Sequence, residues 1–125
     1  MLKQATRVSI VDDEPSVRDA LARLLRAQSL DAKAFDSAAA FIASLDDFSP
    51  DCLVVDFHMP EMTGLELQQY LQQARIGIPT VVITAHDDDK ARELCIASGA
   101  SAFLIKPLSN SVLIEAIRAA IGSGR

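Results

Sequence analysis

Short runs of β-branched and aliphatic residues alternate along the chain with longer stretches whose apolar positions recur every three to four residues. The first kind fits buried strands, the second helices with one apolar face. Val8-Ser9-Ile10-Val11, Cys52-Leu53-Val54-Val55, Val81-Val82-Ile83 and Ala102-Phe103-Leu104-Ile105 read as strands, with Ala32-Lys33-Ala34-Phe35 as a weaker one. Val17, Ala20, Leu21, Leu24 and Leu25 form a helical stripe, and Pro15 stands where a first turn tolerates a missing N–H. Asp36 or Ser37 is placed to cap a short helix reaching Leu45, and Ser49-Pro50 breaks the chain before the next strand. Leu67, Tyr70, Leu71 and Ala74 follow a turn at Gly64, while Ala91, Leu94, Cys95 and Ser98 stop at Gly99. The last stripe, Leu113, Ala116, Ile117, Ala120 and Ile121, opens at Ser109 or Asn110 and closes at Gly122.

Five strands in strict alternation with five helices predict an α/β domain whose parallel sheet is covered on both faces. Because βαβ crossovers are right-handed, the natural topology is a flavodoxin-like doubly wound (βα)5 fold with strand order 2-1-3-4-5. One domain over residues 1–122 is expected, with 123–125 as a linker stub or cloning remnant and no room in these 125 residues for an output domain.

Composition narrows the class. Half of the residues are hydrophobic and 23% charged, which is enough apolar content for a packed core. A net charge of −5 without any basic run argues against nucleic-acid binding by this segment. Cys52 and Cys95 show neither a CxxC nor a metal-ligand spacing, so both are expected as reduced, packed thiols in a cytoplasmic protein. No apolar run reaches the ~18 residues that span a bilayer, and the first seven residues lack a signal-peptide core, so no membrane association is expected.

The strand ends carry the chemistry. Asp12-Asp13 follow the first strand, Asp56 closes the third, Thr84 the fourth, and Lys106-Pro107 follow the fifth. In an open parallel sheet, side chains at the carboxyl ends of the strands converge on one crevice. Three carboxylates, a hydroxyl and an ammonium are therefore expected to meet. Asp87-Asp88-Asp89, by contrast, read as structural residues complementing a helix dipole.

Asp12-Asp13-Glu14-Pro15, the stretch from Val54 to Gly64, Ile83-Thr84-Ala85 and Lys106-Pro107 together resemble the receiver domain of two-component response regulators. The resemblance spans residues 6–121. Ser37-Ala38-Ala39-Ala40-Phe41 and the stretch from Ile78 to His86 look most like receivers that precede a helix-turn-helix DNA-binding domain. The resemblance implies that Asp56 accepts a phosphoryl group from a sensor histidine kinase, or from a small acyl phosphate. It also implies Mg²⁺ or Mn²⁺ held by Asp13, Asp56 and the backbone carbonyl of His58, with Asp12 acting through water. Lys106, Thr84 and backbone N–H groups near Phe57 and Ala85 would hold the phosphoryl oxygens. This suits the chemistry, because phosphoryl transfer is catalysed mainly by positioning and electrostatic stabilisation.

Phe103 stands where such receivers carry a switch aromatic, often tyrosine, and without a hydroxyl its inward state is expected to be populated before phosphorylation. The signal would leave through the fourth helix, fifth strand and fifth helix to an output domain or partner, with homodimerisation on that face. His58 and His86, two residues past Asp56 and Thr84, would tune water access, making the phosphoryl lifetime pH-dependent in the histidine range. The result is a phosphorylatable regulatory domain that catalyses its own phosphorylation and dephosphorylation, not an enzyme. Alternatives are a phosphorylation-independent scaffold and an aspartyl-phosphate phosphatase. The latter would carry a second Asp where His58 stands. A flavin or nucleotide binder would need a Gly- or hydroxyl-rich loop after the first strand, where Asp12-Asp13-Glu14 would repel phosphate.

Overall fold

The computed structural model describes residues 5–123. Ten elements alternate: β1 (Arg7–Val11), α1 (Pro15–Ala27), β2 (Asp31–Phe35), α2 (Ala38–Ser44), β3 (Cys52–Asp56), α3 (Gly64–Gln73), β4 (Thr80–Thr84), α4 (Asp89–Ala97), β5 (Ala102–Ile105) and α5 (Asn110–Ser123). The five strands form one parallel sheet in the order β2-β1-β3-β4-β5, the doubly wound topology expected from the alternation.

Each central strand is buried on both faces, which is why it reads as a continuous apolar run rather than an alternating one. Val8, Ile10, Val54, Val81 and Ile83 pack with Leu21 and Leu25 of α1 and Leu113 and Ile117 of α5. On the opposite face, Val11, Leu53, Val55, Val82 and Phe103 pack with Phe41 of α2, Leu67 and Leu71 of α3 and Cys95 of α4. The edge strand β2 buries only Ala32, and Asp31 and Lys33 are exposed, hence its weaker apolar signal.

Register brings the functional ends into line. Val11 lies opposite Val55, Asp56 opposite Ile83, and Thr84 opposite Ile105. The residues that follow therefore leave the sheet at one edge within about a residue of each other.

Helix starts are fixed by side chains. Ser37, rather than Asp36, caps α2 by accepting the Ala40 N–H. Thr63 and Glu66 form a reciprocal capping box on α3. Asp88 Oδ1 accepts the Lys90 and Ala91 N–H groups at the start of α4, with Asp89 in the first turn, so this acidic run has a structural use. Ser109 Oγ accepts the Val112 N–H at the start of α5.

Gly99 ends α4 in the left-handed region, at φ 100°. Gly122 does not end α5. Its backbone is not left-handed, and the helix continues through Ser123. Residues 124 and 125 of the expected stub lie outside the described residues. Cys52 and Cys95 are both buried and unbridged. Among the described residues, no helix is long and apolar enough to cross a membrane.

Candidate functional site

Asp12 is the first residue past β1 and is fully buried. Its Oδ1 accepts the Glu14 N–H at 2.9 Å, and its carbonyl accepts a hydrogen bond from Arg18 Nη1 at 2.9 Å. Its Oδ2 has no hydrogen-bond partner among the described residues and lies 3.6 Å from Lys106 Nζ. Lys106, carried past the end of β5, also approaches Asp56 Oδ1 to 3.3 Å. One ammonium thus bridges two carboxylates. Asp13 completes the cluster: oxygens of Asp12, Asp13 and Asp56 all lie within 4.8 Å of one another, with Asp13 exposed and the other two buried.

Three carboxylates against one ammonium leave the pocket electrostatically uncompensated. Burial pushes the Asp56 carboxyl above its ordinary value. The Lys106 ammonium opposes that push, while the negative charges of Asp12 and Asp13 add to it. An all-oxygen donor set with a buried, orphaned carboxylate oxygen is the set that a hard divalent cation satisfies. The residues fit such an ion.

Thr84 closes β4 and is buried, with its Oγ1 accepting the His86 N–H at 3.2 Å. The Phe57 N–H is committed to the sheet, donating to the Ile83 carbonyl at 2.7 Å. Among the described residues, the His58 and Ala85 N–H groups donate to no protein acceptor. They remain as the backbone donors at this edge.

The loop between β3 and α3 is clamped by Gly64. Its N–H donates to the Phe57 carbonyl at 3.0 Å, and a Cβ there would meet the Asp56 carbonyl oxygen at 2.8 Å. Only glycine lets α3 start so close to the strand end that carries Asp56.

Phe103 points inward, only 5% exposed, with its ring edge-on to Phe57 at 6.4 Å. The Arg92 guanidinium lies 5.1 Å from the centre of that ring, and its Nη1 donates to the Phe103 carbonyl at 3.3 Å. Nothing in the local sequence pointed to Arg92 or Arg18. Each is a polar position on an amphipathic helix, and only the tertiary fold brings it to its carbonyl. His58 and His86, both exposed, face each other edge to face with ring centres 5.1 Å apart.

A five-stranded doubly wound sheet with a carboxylate trio, a bridging lysine and a buried threonine at its carboxyl edge defines a phosphorylatable signalling domain. The chain belongs to the response regulator receiver domain family, whose model matches residues 8–118. It is 42% identical over 113 residues to the transcriptional regulatory protein FixJ of Rhizobium meliloti, covering 90% of this chain and 55% of that one. It is 37% identical over 121 residues to the transcriptional regulatory protein TdiR of Thauera aromatica, covering 97% of this chain and 53% of that one. The chain therefore spans about half the length of these curated relatives. Among solved structures, that of FixJ-N superposes with a TM-score of 0.89 at 40% identity, covering 96% of each chain. Full-length FixJ from B. japonicum superposes with a TM-score of 0.90 at 29% identity, covering 98% of this chain and 61% of that one.

Proposed function

We propose that this domain accepts a phosphoryl group on Asp56 from a sensor histidine kinase in the cytoplasm and passes the state to an output domain. The observation that carries the reading is the Lys106 bridge between Asp12 and Asp56, inside a carboxylate trio at one sheet edge. Mg²⁺ or Mn²⁺ would be held by Asp13, Asp56 and the His58 carbonyl, with Asp12 reaching it through water. When bound, that ion offsets the negative charge of donor and nucleophile.

The chain's own groups do the rest. Asp56 presents its carboxylate in line with the incoming phosphorus. Lys106 then exchanges its contact with Asp56 for the phosphoryl oxygens, while Thr84 Oγ1 and the His58 and Ala85 N–H groups complete the cradle. The acyl phosphate carries more negative charge than the carboxylate it replaces, so Lys106 and the cradle's donors offset that charge against Asp12 and Asp13. His58 and His86 stand beside the entry and tune how water reaches the mixed anhydride.

Phe103 is held inward by Phe57 and Arg92, in keeping with a switch aromatic that needs no phosphoryl group to turn in. Output runs through the surface of α4, β5 and α5, where Leu94, Ile96 and Val112 are exposed apolar residues suited to a homodimer contact or an output domain. The names of the relatives, transcriptional regulatory proteins about twice this length, support a DNA-binding output.

Intact-protein mass spectrometry after incubation with acetyl phosphate tests the chemistry. One phosphoryl adduct that requires Mg²⁺ and disappears in Asp56→Asn is expected. An adduct of equal yield in Asp56→Asn would overturn the assignment.

A further inference from the structure

We infer that His58 and His86 together form a second cation site, selective for a borderline divalent ion such as Zn²⁺ and distinct from the carboxylate trio. Two imidazoles bound to one tetrahedral ion at about 2.0–2.1 Å from each ligating nitrogen have ring centres about 5 Å apart. The His58 and His86 rings are already 5.1 Å apart. Their planes stand at 85°, so the rings are not stacked, and the broad Cβ–Cγ torsion lets each ring turn to re-aim its nitrogens. Both side chains are exposed and can lose their water without unfolding anything.

The backbone holds the pair in place. His58 follows Phe57, whose N–H is bonded to Ile83, and the His86 N–H is bonded to Thr84 Oγ1. The chelate therefore needs side-chain rotation only. The ligand chemistry separates the two sites: imidazole suits Zn²⁺, Cu²⁺ and Ni²⁺, whereas carboxylate and carbonyl oxygens suit Mg²⁺ and Mn²⁺. The neighbouring carboxylates add long-range attraction for any cation.

A cation held by this pair would stand beside the entry to Asp56, where it would obstruct both the phosphoryl donor and the hydrolytic water. This consequence rests on the proposed phosphorylation of Asp56; the binding itself does not.

Calorimetric titration of the tag-free chain with ZnCl₂ at pH 7.5 under saturating MgCl₂, alongside NMR of the histidine Cε1–H signals, tests the site. Expected are one Zn²⁺ per chain, movement of both histidine signals, and at least tenfold weaker binding in His58→Ala and in His86→Ala. Binding should persist in Asp13→Asn, which weakens the carboxylate trio. Unchanged affinity in the histidine variants, loss in Asp13→Asn, or no binding in the wild type would each overturn the inference. A separate acetyl-phosphate reaction with and without Zn²⁺ reads the obstruction: slowing in the wild type but not in His86→Ala is expected, and equal slowing in both would refute it. Zn²⁺ binding is measured without a phosphoryl donor, so a failure of the phosphorylation reading leaves that result intact.

Discussion

Replacing Gly64 with alanine sets two opposed effects against each other. Gly64 is the first residue of α3, and in a helix alanine is favoured over glycine by roughly 0.5–1 kcal/mol through backbone entropy. The new Cβ, however, would lie 2.8 Å from the Asp56 carbonyl oxygen and 3.1 Å from Phe57 Cα. Both neighbours are backbone and cannot swing aside. Reaching ordinary contact at 3.4 Å requires a displacement of about 0.6 Å between the start of α3 and the end of β3. Overpacking of this kind costs typically about 1–3 kcal/mol, so the clash wins and the net loss is about 1–2 kcal/mol. The thermal midpoint should fall by roughly 4–8 °C.

Gly77→Ala is the matched control. Nothing lies within 4 Å of its added Cβ and its backbone is not left-handed, so it should be neutral or stabilising by up to about 1 kcal/mol. Urea unfolding of the two variants beside the wild type, with the acetyl-phosphate adduct as a second readout, gives the comparison. The forced displacement falls on Asp56 itself, so Gly64→Ala should also lose adduct yield. A Gly64→Ala protein as stable as the wild type, with an unchanged denaturant slope, would refute the argument.

Further outcomes follow from the same structure. Burial and the neighbouring carboxylates raise the Asp56 carboxyl above its unfolded value, so its contribution to stability is present at acid pH and lost as pH rises through the folded value. In EDTA at pH 7, Asp56→Asn should therefore melt higher than the wild type, with the gap closing toward pH 4; a lower midpoint for the variant at pH 7 contradicts this. Burial pushes the Cys52 thiol up to about 12, so iodoacetamide at pH 8 should leave Cys52 unmodified in the native protein and label it in 8 M urea, as peptide mass mapping would report. Thr63→Ala removes half of the α3 capping box and should cost about 1 kcal/mol in a urea melt, whereas no measurable loss would mean that the box is idle.

The fold was legible where burial is two-sided. β3 and β4 are buried at every position, and their apolar runs announce them. β2 is an edge strand with exposed Asp31 and Lys33, and its pattern fades accordingly. The site was legible because each functional side chain sits within a residue or two of such a run. What escaped the sequence is what depends on approach between elements. Gly64 read as a turn, yet its role is to let α3 abut β3. The Phe57 N–H completes the ladder to Ile83, a pairing set by the neighbouring strand. Gln68, a polar residue of α3, is buried. Arg92 gave no signal, since its partner Phe103 lies on the next strand. At α5, glycine was read as a stop although a helix end tolerates it without a turn.

The connection from β4 to α4 is a short tether tied at both ends. Its near knot is the His86 N–H on Thr84 Oγ1, and its far knot is Asp88 Oδ1 on the Lys90 and Ala91 N–H groups. On the proposed phosphorylation, a Thr84 hydroxyl turning toward the phosphoryl group would untie the near knot and leave the far one in place. The slack released would fall in residues 85–87, and α4 would then pivot about its intact first turn rather than unravel. Strengthening or cutting either knot should therefore change how far α4 swings for a given chemical event, a mechanical gain set by two hydrogen bonds.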